Sequence, residues 1–347
     1  MTDFTVEISR AGEAERDVAE ARRYAALIER LRGQLAAGGD PLRIASIAGS
    51  GLWQRAVDDV QDGFLDDRAL YWGRLAAHRC LQEVGHAECG EALEGASRGL
   101  SEGAVDAPTL LLAGFDPFHL DRDISQSNPS GTVVLALHGS VVEAPAGRSL
   151  TVQAAILPVR FADFDAGIVE RLLTERCANG DVRMVVTVSM GRDAFDLERF
   201  PGRRRSSANP DNERRLGGGR AEEPFVPHGL DGPEFLEFSL PATAMAAIGG
   251  RWAVRDNHRV TTVARGRLEA ESLEDLAGET AVEGSGGGYL SNEVAYRTLL
   301  AAERLGLDLP IGHIHVPALR GHDAGWERDI VDQVRQMIVA GVGAITS

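Results

Sequence analysis

Thr109-Leu110-Leu111-Leu112-Ala113 opens a series of short apolar runs whose reading decides the fold. Four more follow at Thr132–Leu137, Ala154–Leu157, Met184–Val188 and Ile311–Val316, with helical patterns near 163–178, 292–305 and 326–341 between and after them. Apolar runs of that length suit strands covered on both faces, and interleaved helices provide the crossovers that parallel strands require. The segment from about 106 to 347 is therefore expected to be α/β, with a largely parallel sheet.

Working outward, the chain turns polar between Gly202 and Pro241, with Arg203-Arg204-Arg205, Gly217-Gly218-Gly219 and prolines at 224, 227 and 233, which predicts a long loop inserted near 202–240. Arg251 to Gly278 starts with alternating Trp252 and Val254 and suits an extra strand or hairpin. Upstream, Ala14, Val18, Ala21, Ala25, Ile28 and Leu35 form one helical stripe over 13–36, and Ala69, Trp72, Leu75 and Ala76 form another over about 66–84. Residues 1–105 thus read as a mainly helical N-terminal region without a chemical motif.

Composition removes several classes of function. The balance of 36 basic against 52 acidic residues, net charge −16, repels phosphate backbones and anionic lipid, so neither nucleic acid nor membrane is an expected partner. No apolar stretch reaches the roughly 18 residues of a membrane helix. The chain has no lysine, which excludes lysine Schiff-base chemistry and a Walker-type phosphate loop. Cys80, Cys89 and Cys177 lack metal-ligand spacing and are odd in number, so no zinc site and no disulfide framework is expected. Residues 1–40 carry charge throughout and resemble no signal peptide, which points to the cytoplasm.

Three segments could supply chemistry. Ser285-Gly286-Gly287-Gly288-Tyr289-Leu290-Ser291-Asn292 leads into a helix, where a nucleophile would sit beside free N–H groups and the positive helix end; a capping serine is the plainer alternative. His313 and His315 share one face at a strand end, as a base would or as two structural histidines would. Glu198, after Gly191-Arg192, could orient an imidazole or simply face solvent.

Taken together and in order, these segments resemble pyroglutamyl peptidase I, the pyrrolidone-carboxylate peptidase family. The matching pieces are Leu112-Ala113-Gly114-Phe115-Asp116-Pro117-Phe118, Asn128-Pro129-Ser130, Leu157-Pro158-Val159, Gly191-Arg192 with Glu198-Arg199, Pro210-Asp211-Asn212, Leu240-Pro241, Gly288-Tyr289-Leu290-Ser291-Asn292 and Ile314-His315-Val316-Pro317. The resemblance spans about 109–345. It implies a three-layer α/β/α sandwich with a twisted, largely parallel sheet, here carrying a helical N-terminal extension. It also implies a cytoplasmic homo-oligomer without cofactor or metal that removes N-terminal pyroglutamyl residues through a Cys–His–Glu triad. By position the histidine is His315 and the acid Glu198, while Phe115, Phe118, Tyr289 and Leu290 would enclose the flat lactam of a small peptide or amide substrate.

The nucleophile position holds Ser291 instead of cysteine. A serine hydroxyl needs a well-aligned general base, so two outcomes stay open: a Ser–His–Glu hydrolase, or an inactive relative that binds or regulates. The family's Gly-Gln-Ala-Gly-Gly-Arg loop is Thr187-Val188-Ser189-Met190-Gly191-Arg192 here, and glycines after the second phenylalanine are His119-Leu120. An arginine before Pro-Asp-Asn is missing, with Arg203, Arg204 and Arg205 as the nearest replacements. A related cyclic or N-acyl amide is therefore the second substrate class. Residues 1–105 could serve as an oligomerisation element, a lid or a partner-binding arm.

Overall fold

The computed structural model describes residues 5–345. The N-terminal helices are α1 (Thr5–Asp17), α2 (Ala25–Ala36), α3 (Pro41–Gln61), α4 (Arg68–Glu83) and α5 (Gly90–Ser97). The helix expected over 13–36 is in fact two. Val18 is extended and a short 3₁₀ turn follows, because the stripe changes partner at that point. Ala11, Ala14 and Val18 pack with Tyr71 and Trp72, whereas Leu31 and Leu35 join the main core. Helix α3 was not foreseen, although Asp40-Pro41 is a strong start signal: the Asp40 carboxylate accepts from Leu42 N at 3.1 Å and proline occupies the first turn.

The remaining elements, in chain order, are β1 (Thr109–Phe115), α6 (Pro129–Leu137), β2 (Val141–Ala144), β3 (Arg148–Leu157), α7 (Phe161–Asp165), α8 (Ile168–Arg176), β4 (Val182–Met190), β5 (Phe195–Glu198), α9 (Ala242–Ala246), β6 (Val254–Asn257), β7 (Arg259–Thr262), β8 (Gly266–Glu269), β9 (Ala281–Glu283), α10 (Leu290–Leu305), β10 (Ile311–Val316) and α11 (Ala324–Ala344). The main sheet runs β2-β3-β1-β4-β10-β5-β6. Its centre, β3-β1-β4-β10, is parallel, with β2 antiparallel at one side and β5 antiparallel to β10 on the other. Alternate residues feed two cores. Leu110, Leu112, Val186 and Ile314 face α3, α6 and α11, while Leu111, Ala113, Val185 and Ile311 face α8 and α10. The protein is a three-layer α/β/α sandwich with a helical extension.

Thr132–Leu137 corrects the strand reading, since it lies in α6. Asn128 caps that helix, accepting from Ser130 N at 3.1 Å, and Pro129 fills the first position. Every residue of α6 is buried, and a helix buried all round has no polar face to reveal its period. Residues 202–240 contain neither helix nor strand; isolated bridges such as Gly202 to Phe235 and Arg205 to Phe225 tie the segment down. The 251–278 region supplies β6 to the main sheet and the β7–β8 hairpin to a small second sheet.

The N-terminal helices share the larger core and also meet β1 through buried charge. Arg74 donates to both oxygens of Asp116, at 2.9 and 3.0 Å, and Arg98 reaches the same carboxylate at 2.6 Å. Arg160 joins Glu7 of α1 to Glu94 of α5. Asn212 donates to Pro117 O at 2.9 Å and to Glu7 at 3.2 Å. The turn after β1 is thus held by groups from three distant parts of the chain.

Buried acid also gathers where α11 meets the loop before α6. Glu327 accepts from Ser127 Oγ at 2.8 Å, and burial lifts its carboxyl to about 8. Asp67, wholly enclosed, is pushed well above the usual carboxylate range by burial and by its neighbours Glu327 and Asp66. The folded protein therefore keeps a proton on Glu327 up to about pH 8, whereas the unfolded chain releases it above about pH 4.5. Wild type loses stability as pH rises through that window. Glu327→Gln, which carries no charge, is expected to be more stable than wild type at pH 8 by on the order of 4 kcal/mol, with the gain vanishing towards pH 4.5. Urea denaturation at both pH values checks this; a gain of equal size at each would refute a titrating origin.

Candidate active site

The carboxyl ends of β1, β4 and β10 lie side by side, and the turns leaving them meet the start of α10 around a cavity of about 150 Å³. Strand ends of a parallel sheet are where α/β proteins take ligands. Phe115, Phe118, Tyr289, Leu290 and Ser291 all line this cavity, with Asn128, Val159, Ser189 and Met190. Its aromatic side is rigid. The Phe118 and Tyr289 rings stack at 6.5 Å, Phe161 meets Tyr289 edge-on at 5.4 Å, and Tyr289 OH donates to Pro210 O at 3.0 Å. Phe115 is fixed from behind by Phe164, and its N–H donates to Ser130 Oγ at 3.1 Å.

Ser291 is the second residue of α10; Tyr289 occupies the N-cap position and makes no capping bond through its side chain. Ser291 is therefore not the capping serine of the plainer reading. Its hydroxyl donates to Gly286 O at 3.2 Å. The first-turn N–H groups of a helix have no partner within it, so those of Leu290, Ser291 and Asn292 are not used inside α10.

His315, the penultimate residue of β10, has its Nδ1 hydrogen-bonded to Glu198 Oε1. Glu198 is fully buried, and its other oxygen accepts from Asn257 Nδ2 at 2.8 Å. That same amide donates to Ser285 O at 3.0 Å, which ties the acid to the glycine turn before α10. Gly191 leaves room for the imidazole: a Cβ there would lie 2.6 Å from His315 Cβ. Glu198 and His315 are brought together as a pair, and Ser291 with the four pocket residues. The expected hydrogen bond between Ser291 and His315 is not formed among the described residues, because the Gly286 carbonyl holds the hydroxyl, and His315 Nε2 has no protein partner among them.

Other expectations need amending. None of the three nearby arginines lines the cavity: Arg203 and Arg204 pair with Glu234, and buried Arg205 pairs with Glu293 and Asp165. His119 retains the left-handed backbone, φ 64°, that a glycine would adopt freely, and its ring lies on Phe118 at 4.1 Å. Sequence reasoning missed Asn257, whose role depends on the register that puts β6 beside β5 with Asn257 opposite Glu198. It also left Thr187 and Ser189 without a role, although both face the histidines.

Fold and site together define an α/β/α protein similar to the pyrrolidone-carboxylate peptidases, with a lined cavity at the carboxyl edge of its sheet. The model of the family described as PA0049, C-terminal domain, matches residues 109–245 and 252–320, and the chain belongs to that family. It is 27% identical to the uncharacterized protein PA0049 of Pseudomonas aeruginosa, over 82% of this chain and 71% of that protein. It is 31% identical to the pyrrolidone-carboxylate peptidase of Deinococcus radiodurans over 212 residues, 61% of this chain and 78% of that one. Among solved structures, pyrrolidone carboxyl peptidase from Pyrococcus furiosus has a TM-score of 0.45 at 20% identity, covering 67% of this chain and 97% of its own. Pyroglutamyl peptidase I from Bacillus amyloliquefaciens has 0.44 at 19%, covering 68% and 97%. No helix of the described residues is long and apolar enough to cross a membrane.

Proposed function

We propose that this protein hydrolyses an N-terminal pyroglutamyl amide, or a related cyclic or N-acyl amide, through Ser291, His315 and Glu198. The observation that carries this reading is the buried Glu198–His315 pair at the strand ends, near a cavity lined by three aromatic rings and Ser291. A carboxylate on Nδ1 fixes the tautomer whose Nε2 can accept a proton. Ser291 Oγ attacks the carbonyl as its proton passes to His315 Nε2, and first-turn N–H groups of α10 hold the resulting oxyanion. Collapse breaks the C–N bond, and His315 returns the proton to the departing amine. Water then repeats the sequence on the acyl-serine and frees the acid.

A binding role is the second reading, favoured by the Ser291 hydroxyl resting on a carbonyl instead of on His315. Purified wild type with a chromogenic L-pyroglutamyl amide separates the two: the enzyme releases the amine with saturation kinetics. A binder releases none, and takes up a lactam equally well as wild type and as Ser291→Ala.

A further inference from the structure

The sheet carries a polar line that the proposed reaction leaves unused. β4 and β10 run parallel with Thr187 opposite His313 and Ser189 opposite His315, so all four side chains share the face toward α10. The His313 ring is completely buried between two hydroxyls, with Nδ1 2.8 Å from Thr187 Oγ1 and Nε2 2.8 Å from Ser189 Oγ. Ser189 lines the same cavity as Ser291, with Phe115 and Tyr289 on its other walls.

A serine on an imidazole suggests a second nucleophile and base, but the surroundings argue otherwise. Burial, and then the neighbouring His315 ring 4.9 Å away, hold His313 well below the ordinary imidazole range. Its partners are hydroxyls, not a carboxylate, so a proton taken up there would be a buried charge without a counter-ion. His313 stays neutral and acts as a fixed dipole.

Counting protons sets the direction of that dipole. Thr187 Oγ1 has the Gly312 carbonyl 3.4 Å away as an acceptor. If Thr187 donates there, it accepts from His313 Nδ1–H, and Nε2 accepts from Ser189 O–H; all three protons are then used. The opposite tautomer leaves the Ser189 proton without a protein acceptor among the described residues. Satisfying every donor assigns the Nδ1–H form.

We propose that Ser189 selects the ligand: its proton is committed to His313, so its hydroxyl shows only lone pairs to the cavity and takes ligands that present an N–H donor there. Cyclic amides are then preferred over lactones of the same ring size, whose ring oxygen would face those lone pairs. This rests on the cavity being the lactam site of the proposed reaction, and it names the residue that reads the lactam nitrogen.

Binding, not turnover, tests it. In Ser291→Ala protein, NMR titration with 2-pyrrolidone and γ-butyrolactone is expected to show a preference for the lactam of about tenfold, the worth of one good hydrogen bond. Adding Ser189→Ala should cut that preference to roughly twofold and leave lactone affinity little changed. In wild type, ¹⁵N spectra should show His313 protonated on Nδ1, a readout that needs no variant at residue 189. An unchanged preference in the Ser189→Ala background, or a His313 protonated on Nε2, overturns the assignment of Ser189 while leaving the lactam site intact. If neither ring binds, the lactam site itself is wrong and the Ser189 proposal falls with it.

Discussion

Ser291→Ala is expected to abolish turnover of a pyroglutamyl amide, by at least about a thousandfold in kcat, and His315→Ala to cost nearly as much. The double variant should be no worse than either single one, because nucleophile and base act as a unit. Ser291→Cys is the informative exchange. The wild-type hydroxyl must leave the Gly286 carbonyl before it can reach His315, and a thiol, a weaker donor, is held there less tightly. A thiol is also converted to thiolate more readily than a hydroxyl to alkoxide. Ser291→Cys is therefore expected to retain activity or exceed wild type. Steady-state kinetics on wild type and the four variants check the set; undiminished turnover by purified Ser291→Ala would remove Ser291 from the mechanism.

The second large effect is on stability. Asp116 is buried between Arg74 and Arg98, each about 1% exposed, and Asp116→Ala leaves the Arg74 guanidinium in the interior without a carboxylate among the described residues and Arg98 with Glu94. Breaking a buried ion pair by deleting one partner costs about 3–5 kcal/mol, since the remaining charge stays desolvated. In a chain of this size that corresponds to a fall in Tm of roughly 4–7 °C. Asp116 directly follows Phe115, so KM should rise along with the loss of stability. A Tm within about 2 °C of wild type would show that water reaches these arginines and that the brace is weak.

The parallel centre of the sheet was legible because β1, β3, β4 and β10 are covered on both faces and so contain short, mainly apolar runs. The same property misled at Thr132–Leu137, where a helix enclosed on every side lacks a polar face. There the capping signal of Asn128-Pro129 carried more information than the run itself. Glu198 and His315 were recognisable from their motifs, and the direct bond between them agrees with that pairing. Asn257 was not, since nothing local marks an asparagine whose value lies in being opposite Glu198 across two strands. The resting place of the Ser291 hydroxyl was equally invisible, because it depends on how Gly286 turns its carbonyl.

The clasp on Asp116 bears on how such a chain can be passed on. The family match starts at residue 109, but the arginines neutralising the carboxylate seven residues later are at 74 and 98. A recombination joint placed at residue 109 would deliver a carboxylate to its new host and leave its counter-charges behind. Descendants of such an event would have to lose Asp116 or find new cations for it. The unit that has to be inherited together is therefore longer than the span the family match covers, and substitutions in α4 or α5 should be followed in lineages by compensating change at the loop after β1.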